Sequence, residues 1–222
     1  MTLFTDEKLF EDEKLDFENM SITDLLKWAE ITYGDDLVLA ASFQDTVMID
    51  IVTKVIPNIK TVFIDTGMHF DETLEFVEKV KEFYSLNLIV LEPAEDACNF
   101  PCGVNGCCKK RKVEPFNKYL KDSKTKAWIS GIKRVDTKER ADAPVVGWDD
   151  SKGLIKINPI VTWTESDVEN YSKQNQLLKH PLVSKGYLSI GCAPTTSPVK
   201  PGEPIRSGRW VNLDKTECGL HI

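Results

Sequence analysis

Short unbroken apolar runs alternate along this chain with segments in which apolar residues recur every three or four positions. Leu37-Val38-Leu39-Ala40-Ala41 is apolar throughout, as expected of a strand buried on both faces. After Ser42-Phe43-Gln44-Asp45, residues Val47, Met48, Ile51 and Val55 recur at helical spacing as far as Pro57. The unit then repeats: Thr61 to Ile64 reads as a strand, Asp65-Thr66-Gly67 as a turn, and Asp71 to Tyr84 as a helix burying Leu74, Phe76, Val77 and Val80. Leu88 to Leu91 predicts a third strand, Ala127 to Ser130 a fourth and Leu154 to Ile160 a fifth. A basic helix is expected from Cys107 towards Leu120. Ser21-x-x-Asp24 and Thr164-x-x-Asp167 have the form of helix N-caps, the second helix ending near Gln174. Beyond Pro181, prolines and glycines replace any periodic pattern. Strands alternating with helices imply a doubly wound α/β fold with a mostly parallel sheet.

Length supports one core and is short for two. Residues 1–180 are therefore expected to form a nucleotide-binding α/β domain, and 181–222 a loop and mobile tail of the same unit. The net charge of -7 excludes a general nucleic-acid surface. The acidic N-terminus and the lack of eighteen consecutive apolar residues point to a cytoplasmic protein with no membrane partner. Six cysteines, two of them adjacent at 107 and 108, fit metal or redox chemistry better than disulfides.

Candidate chemistry gathers where such sheets bind ligands, beyond the carboxyl ends of the strands. Ser42 opens the helix after the first strand, a natural anion site, although an ordinary N-cap serine would look the same. Positive charge is concentrated in Lys109-Lys110-Arg111-Lys112, in Lys133-Arg134 with Lys138 and Arg140, and in Arg206 with Arg209. Two separated arginine motifs in an acidic protein favour a small, doubly anionic ligand, since guanidinium forks match phosphate and sulfate oxygens. Cys218, near the C-terminus with His221 three residues on, is the candidate nucleophile. Cys107-Cys108 followed by Cys192-Ala-Pro-Thr195 approximates a four-iron cluster motif, with a hard hydroxyl where the fourth soft thiolate would stand.

Several of these motifs together resemble one family. They are Glu217-Cys218-Gly219-Leu220-His221, Ser189-Ile190-Gly191-Cys192-Ala193-Pro194, Pro201-Gly202 with Arg206-Ser207-Gly208-Arg209-Trp210, Cys107-Cys108-x-x-x-Lys112, and Ile64-Asp65-Thr66-Gly67-x-x-Phe70-x-Glu72-Thr73. Over residues 30 to 222 the chain is similar to assimilatory adenylyl-sulfate reductases, relatives of phosphoadenylyl-sulfate reductase. The resemblance implies an adenine nucleotide alpha-hydrolase-like fold and a reaction in which Cys218 attacks the sulfur of adenosine 5'-phosphosulfate. AMP is expelled, and thioredoxin or a similar dithiol then releases sulfite from an S-sulfocysteine. By motif it implies substrate contacts from Ser42, Asp45, Lys112, Arg140, Arg206, Arg209 and His221, with Thr66 and Gly67 near the adenosine. The loop after the first strand departs from the family's usual form, being shorter and lacking glycine.

The resemblance also implies a 4Fe-4S cluster on Cys107, Cys108 and Cys192, its fourth position occupied here by Thr195. Three outcomes stand open: three cysteines with another fourth ligand, rescue by Cys98 or Cys102, or loss of the cluster with the fold retained. The last would favour the 3'-phosphorylated nucleotide as substrate. An ATP pyrophosphatase or adenylyltransferase on the same scaffold would want a Ser-Gly-Gly-x-Asp-Ser loop and no Cys218, and an iron or zinc sensor would be indifferent to Cys218. A homo-oligomer is left open by the sequence.

Overall fold

A computed structural model describes residues 15–213 and 215–221; the acidic N-terminal segment lies outside them. Six strands form one sheet: β1 (Leu37–Ala40), β2 (Lys60–Ile64), β3 (Asn87–Leu91), β4 (Ala127–Ile129), β5 (Val146–Asp149) and β6 (Leu154–Ile157), in the order β3-β2-β1-β4-β6-β5. All pairings are parallel except β5 with β6. The expected doubly wound α/β architecture is present. β5 is an addition to it: Val146-Gly147-Trp148-Asp149 is too short and too mixed to stand out as a strand. It exists because the turn after Asp149 folds β6 back onto it.

Strand side chains alternate between two apolar clusters, as period-two geometry requires. Leu37, Leu39, Ala127, Ile129, Ile155 and Ile157 face one cluster, with Val38, Trp128 and Leu154 in the other. The first face is covered by α1 (Ile22–Tyr33), α2 (Val47–Val55) and α3 (Asp71–Tyr84). The second is covered by α4 (Glu114–Asp122) through Phe116 and Leu120, and by Leu220 of the C-terminal tail. Ser21 Oγ accepts from Asp24 N at 3.1 Å to start α1, and Thr164 with Asp167 makes a full capping box for α5 (Glu165–Gln174).

The basic helix expected from Cys107 runs through a π-helical stretch, Lys109–Val113, before the α-helical Glu114–Asp122. A π turn rotates the residues beyond it relative to a regular helix. Lys112 thereby lines the central cavity, while Arg111 is buried beneath the preceding loop.

Candidate active site

The strand order reverses between β1 and β4, where doubly wound sheets open a crevice at their carboxyl ends. A cavity of about 210 Å³ occupies that crevice, walled by Ala40 to Ser42 after β1 and Gly131 to Lys133 after β4. The glycine missing from the β1 turn is replaced by Phe43, which takes a positive φ of 56°. Its ring is buried against Phe63 at 5.3 Å, and this burial offsets the cost of a left-handed backbone. Asp45 Oδ1 accepts from Val47 N at 3.0 Å at the start of α2. Its side chain opens to the cavity but is hemmed by protein elsewhere, and this desolvation raises its pKa.

The C-terminal tail forms the opposite wall through Glu217, Cys218, Leu220 and His221. It is seated by several independent contacts. Lys152 Nζ donates to Leu220 O at 2.9 Å, Lys156 Nζ to His221 O at 3.2 Å, and the His221 ring stacks on Trp128 at 5.6 Å. Burial, then the charges of Lys156 and Arg140, hold His221 well below the usual imidazole range. Glu217 is buried and paired with Arg140, Oε1 lying 2.7 Å from Nε and Oε2 accepting from Nη2 at 2.8 Å.

Arg140, expected to face the anion, is thus engaged by Glu217 and, at 2.7 Å, by Asp136. Lys133 is likewise shared between Asp136 at 3.0 Å and Glu165 at 3.3 Å. Arg206 donates to Thr216 O at 3.0 Å. Arg209 is different: it donates to Ser189 Oγ at 3.4 Å, lies 4.4 Å from the Trp210 ring centre, and keeps a buried Nε without a hydrogen-bond partner. Its burial lowers its pKa, which marks a guanidinium in need of an anion. Ser42, Asp45, Lys112, Arg140, Arg206, Arg209, Cys218 and His221 all line the cavity.

Thr66 and Gly67 do not. β2 ends at Ile64, and the Asp65 turn carries Thr66 under the cysteine-rich loop, its hydroxyl 3.4 Å from Cys192 Sγ. Cys102, Cys107 and Cys108 gather in the same region. Cys107 and Cys108 lie 3.9 Å apart at sulfur, Cys108 Sγ accepts from Lys215 Nζ at 3.1 Å, and Cys102 Sγ stands 3.4 Å from Thr195 Oγ1. The Cys102 and Cys192 thiols interact directly, which holds Cys192 towards its thiolate, aided by the Lys112 charge. Lys112 also acts on His69 and His221, so its ammonium stands between the sulfur set and the cavity.

A profile described as the phosphoadenosine phosphosulfate reductase domain matches residues 36–198. The chain belongs to the phosphoadenosine phosphosulfate reductase family. Relatives in it include an adenosine 5'-phosphosulfate reductase of Mycolicibacterium smegmatis, 40% identical over 97% of this chain and 94% of its own length. Another, from Streptomyces coelicolor, bears the same name and is 37% identical over 93% and 90% respectively. A crystal structure of phosphoadenylyl-sulfate reductase from Candida auris superposes with a TM-score of 0.69 and 26% identity, covering 89% of this chain and 99% of that one. A Candida glabrata FMN adenylyltransferase shares the fold alone, at TM-score 0.66 and 17% identity over 85% of this chain and 67% of that one.

Within this family member, four wall residues escaped the sequence reading. Gln44 Oε1 accepts from Ile190 N at 3.0 Å and ties the β1 loop to the segment carrying Cys192. Trp210 gathers Arg206, Arg209 and Lys215 around one ring. His69 and Glu217 complete the set. The repeated basic-aromatic pattern Arg206-x-x-Arg209-Trp210 was the signal available for Trp210. Nothing local distinguishes Gln44. Among the described residues no three His, Cys, Asp or Glu side chains converge on a single ion. A four-iron cube takes one thiolate per iron, so its donors stand apart rather than around one point, and the soft, spread sulfur set fits that demand.

Proposed function

We propose that this chain is a dithiol-dependent reductase of adenosine 5'-phosphosulfate in assimilatory sulfate reduction, producing sulfite and AMP. The observation that carries it is the seating of Cys218 on the wall of a cavity at the sheet's switch point, a cavity that Arg209 and Lys112 also line. The relatives' names supply the substrate. The Cys218 thiolate attacks the sulfate sulfur, the bond from sulfur to the phosphate oxygen breaks, and AMP leaves with its electron pair. A dithiol, thioredoxin in the simplest case, attacks Cys218 Sγ; the bond from Sγ to the sulfonate sulfur breaks, sulfite departs with the electron pair of that bond, and Cys218 is regenerated as a thiol when the second thiol of the dithiol resolves the mixed disulfide.

Two anions must approach one another in the first step, so charge neutralisation dominates it. Arg209 meets the phosphosulfate with Arg206 beside it, and Lys112 lies on the side of the cysteines. Ser42 and the start of α2 receive the nucleotide, with Asp45 below. Arg140 acts by seating Glu217 and so the tail. Residues 181–222 would serve as the loop and catalytic tail of the same unit as the nucleotide-binding residues 1–180. Cys107, Cys108 and Cys192 would hold a 4Fe-4S cluster, which when bound supplies a charged, redox-active group beside Lys112. The two electrons of the reaction come from the dithiol. All six cysteines are free, which fits the reducing cytoplasm.

The test is Cys218→Ser: sulfite formation is lost and nucleotide binding kept. If the variant still makes sulfite, the reading fails. A second reading, reduction of the 3'-phosphorylated nucleotide, is favoured by Thr195 and by the name of the Candida auris structure. Comparing turnover of the two nucleotides decides, with adenosine 5'-phosphosulfate expected to be preferred.

A further inference from the structure

We infer that Cys102 supplies the fourth thiolate of the iron-sulfur site, in place of the cysteine that Thr195 displaces. The inference rests on the cluster proposed above. The residue at 195 is a hydroxyl, a poor partner for iron that otherwise takes soft thiolates. The Cys102 sulfur lies 3.4 Å from that hydroxyl, so a thiol stands beside the position the chain has lost. It also lies within electrostatic reach of both Cys192 and Cys107. Cys98, the other upstream thiol, is exposed and turned to Asn99 at 3.8 Å.

The local backbone places Cys102 beside Thr195. Gly103 follows with φ of 96°, and a side chain there would lie in ordinary van der Waals contact with Thr195 Cγ2 at 3.4 Å and Leu213 Cδ1 at 3.5 Å. The turn therefore runs alongside Thr195. Its near end is pinned by Arg111, the residue before Lys112 in the π-helical stretch. Arg111 donates from Nε to Phe100 O at 2.9 Å, from Nη2 to Ala97 O at 2.8 Å, and from Nη1 to Thr66 O at 2.8 Å. One buried guanidinium thus fixes the Cys102 loop, the Thr66 turn under Cys192 and the helix that begins with Cys107 and Cys108. Relocation of a ligand from 195 to 102 needs no new element, only a thiol on a turn already held against the vacated side chain. Ligation exchanges the thiol proton for iron and changes no oxidation state.

The full chain, reconstituted anaerobically with iron and sulfide, is measured for iron, acid-labile sulfide and visible absorption, with nucleotide binding as the check on folding. Wild type and Cys98→Ser are expected to hold about four irons per chain, and Cys102→Ser to lose at least about half of them with a matching fall in absorption. Cys102→Ser combined with Thr195→Cys is expected to recover both. If Cys102→Ser loads like wild type, or if the double variant binds nucleotide yet recovers no iron, this inference is overturned and the cluster reading stands. A wild type that takes up no iron and sulfide overturns both.

Discussion

Gly191 carries no side chain because a Cβ there would collide with the Arg209 guanidinium. The conspicuous arginine of the site is therefore positioned by an inconspicuous glycine. We expect Gly191→Ala to weaken nucleotide binding about tenfold or more, the loss of one charge-assisted contact, and Arg209→Lys to do the same, with the unfolding midpoint little changed. Titration calorimetry with the nucleotide checks both. His180 governs stability instead. Buried at 1% exposure, it accepts from Leu182 N at 3.2 Å through Nδ1, and its Nε2 lies 3.0 Å from Thr73 Oγ1. Only the neutral ring fits, and burial takes its pKa down to about 4. Between the ordinary value near 6.5 and 4, the unfolded chain binds a proton that the folded chain refuses. Stability from this residue is complete above 6.5 and falls as pH drops through that window, by at most about 3 kcal/mol. Urea unfolding at pH 7 and 4.5 should show the loss, and His180→Gln should flatten it. Cys218, Arg206 and Arg209 stood out as candidates by residue type, because reactive and charged groups announce themselves, and they line one cavity. Gln44 and Gly191 did not, because their roles depend on partners more than a dozen residues away.

The elements were legible where the period was clean. β1, β2, β3 and the three helices of the first face follow their apolar spacing to within a residue or two. The π-helical stretch was not, since Lys109-Lys110-Arg111-Lys112 contains no apolar residue to phase it. Its consequence is Arg111, which the sequence offered only as one member of a basic cluster and which is buried among three carbonyls. Replacing it by leucine strips the donor from Thr66 O and Phe100 O, while Ala97 O keeps its bond from Phe100 N at 3.0 Å. At about 1 kcal/mol or more for each stranded acceptor, we expect Arg111→Leu to cost about 2 kcal/mol or more in urea unfolding. A loss below 1 kcal/mol would mean that the loop does not depend on this anchor.

At the scale of the molecule, one helix among the described residues covers the second face of the sheet, and the tail adds Leu220 to that cover. Its mobility was the expectation from sequence, since a thiol serving both a nucleotide and a protein dithiol has to move. The docked position adds what holds it. Apolar burial of Leu220 is non-directional, whereas the Glu217–Arg140 pair fixes where Cys218 lies along the wall. The sequence shows Glu217 only as a neighbour of Cys218, because its partner is 77 residues earlier. Removing one member of a buried pair costs several kcal/mol by stranding the other charge. Arg140 retains Asp136, so the penalty falls on tail docking rather than on the fold. We expect Glu217→Ala to leave the global unfolding midpoint nearly unchanged while speeding amide exchange over residues 215–221. Cys218 should react with a water-soluble disulfide reagent about tenfold faster, the factor corresponding to about 1.4 kcal/mol. Sulfite formation should fall with it, since a thiol released from the wall is no longer aimed at Arg209 and the bound sulfate. An unchanged labelling rate would show that the tail is held without Glu217, by Leu220, the two lysines, the His221–Trp128 stack and the bonds of Thr216.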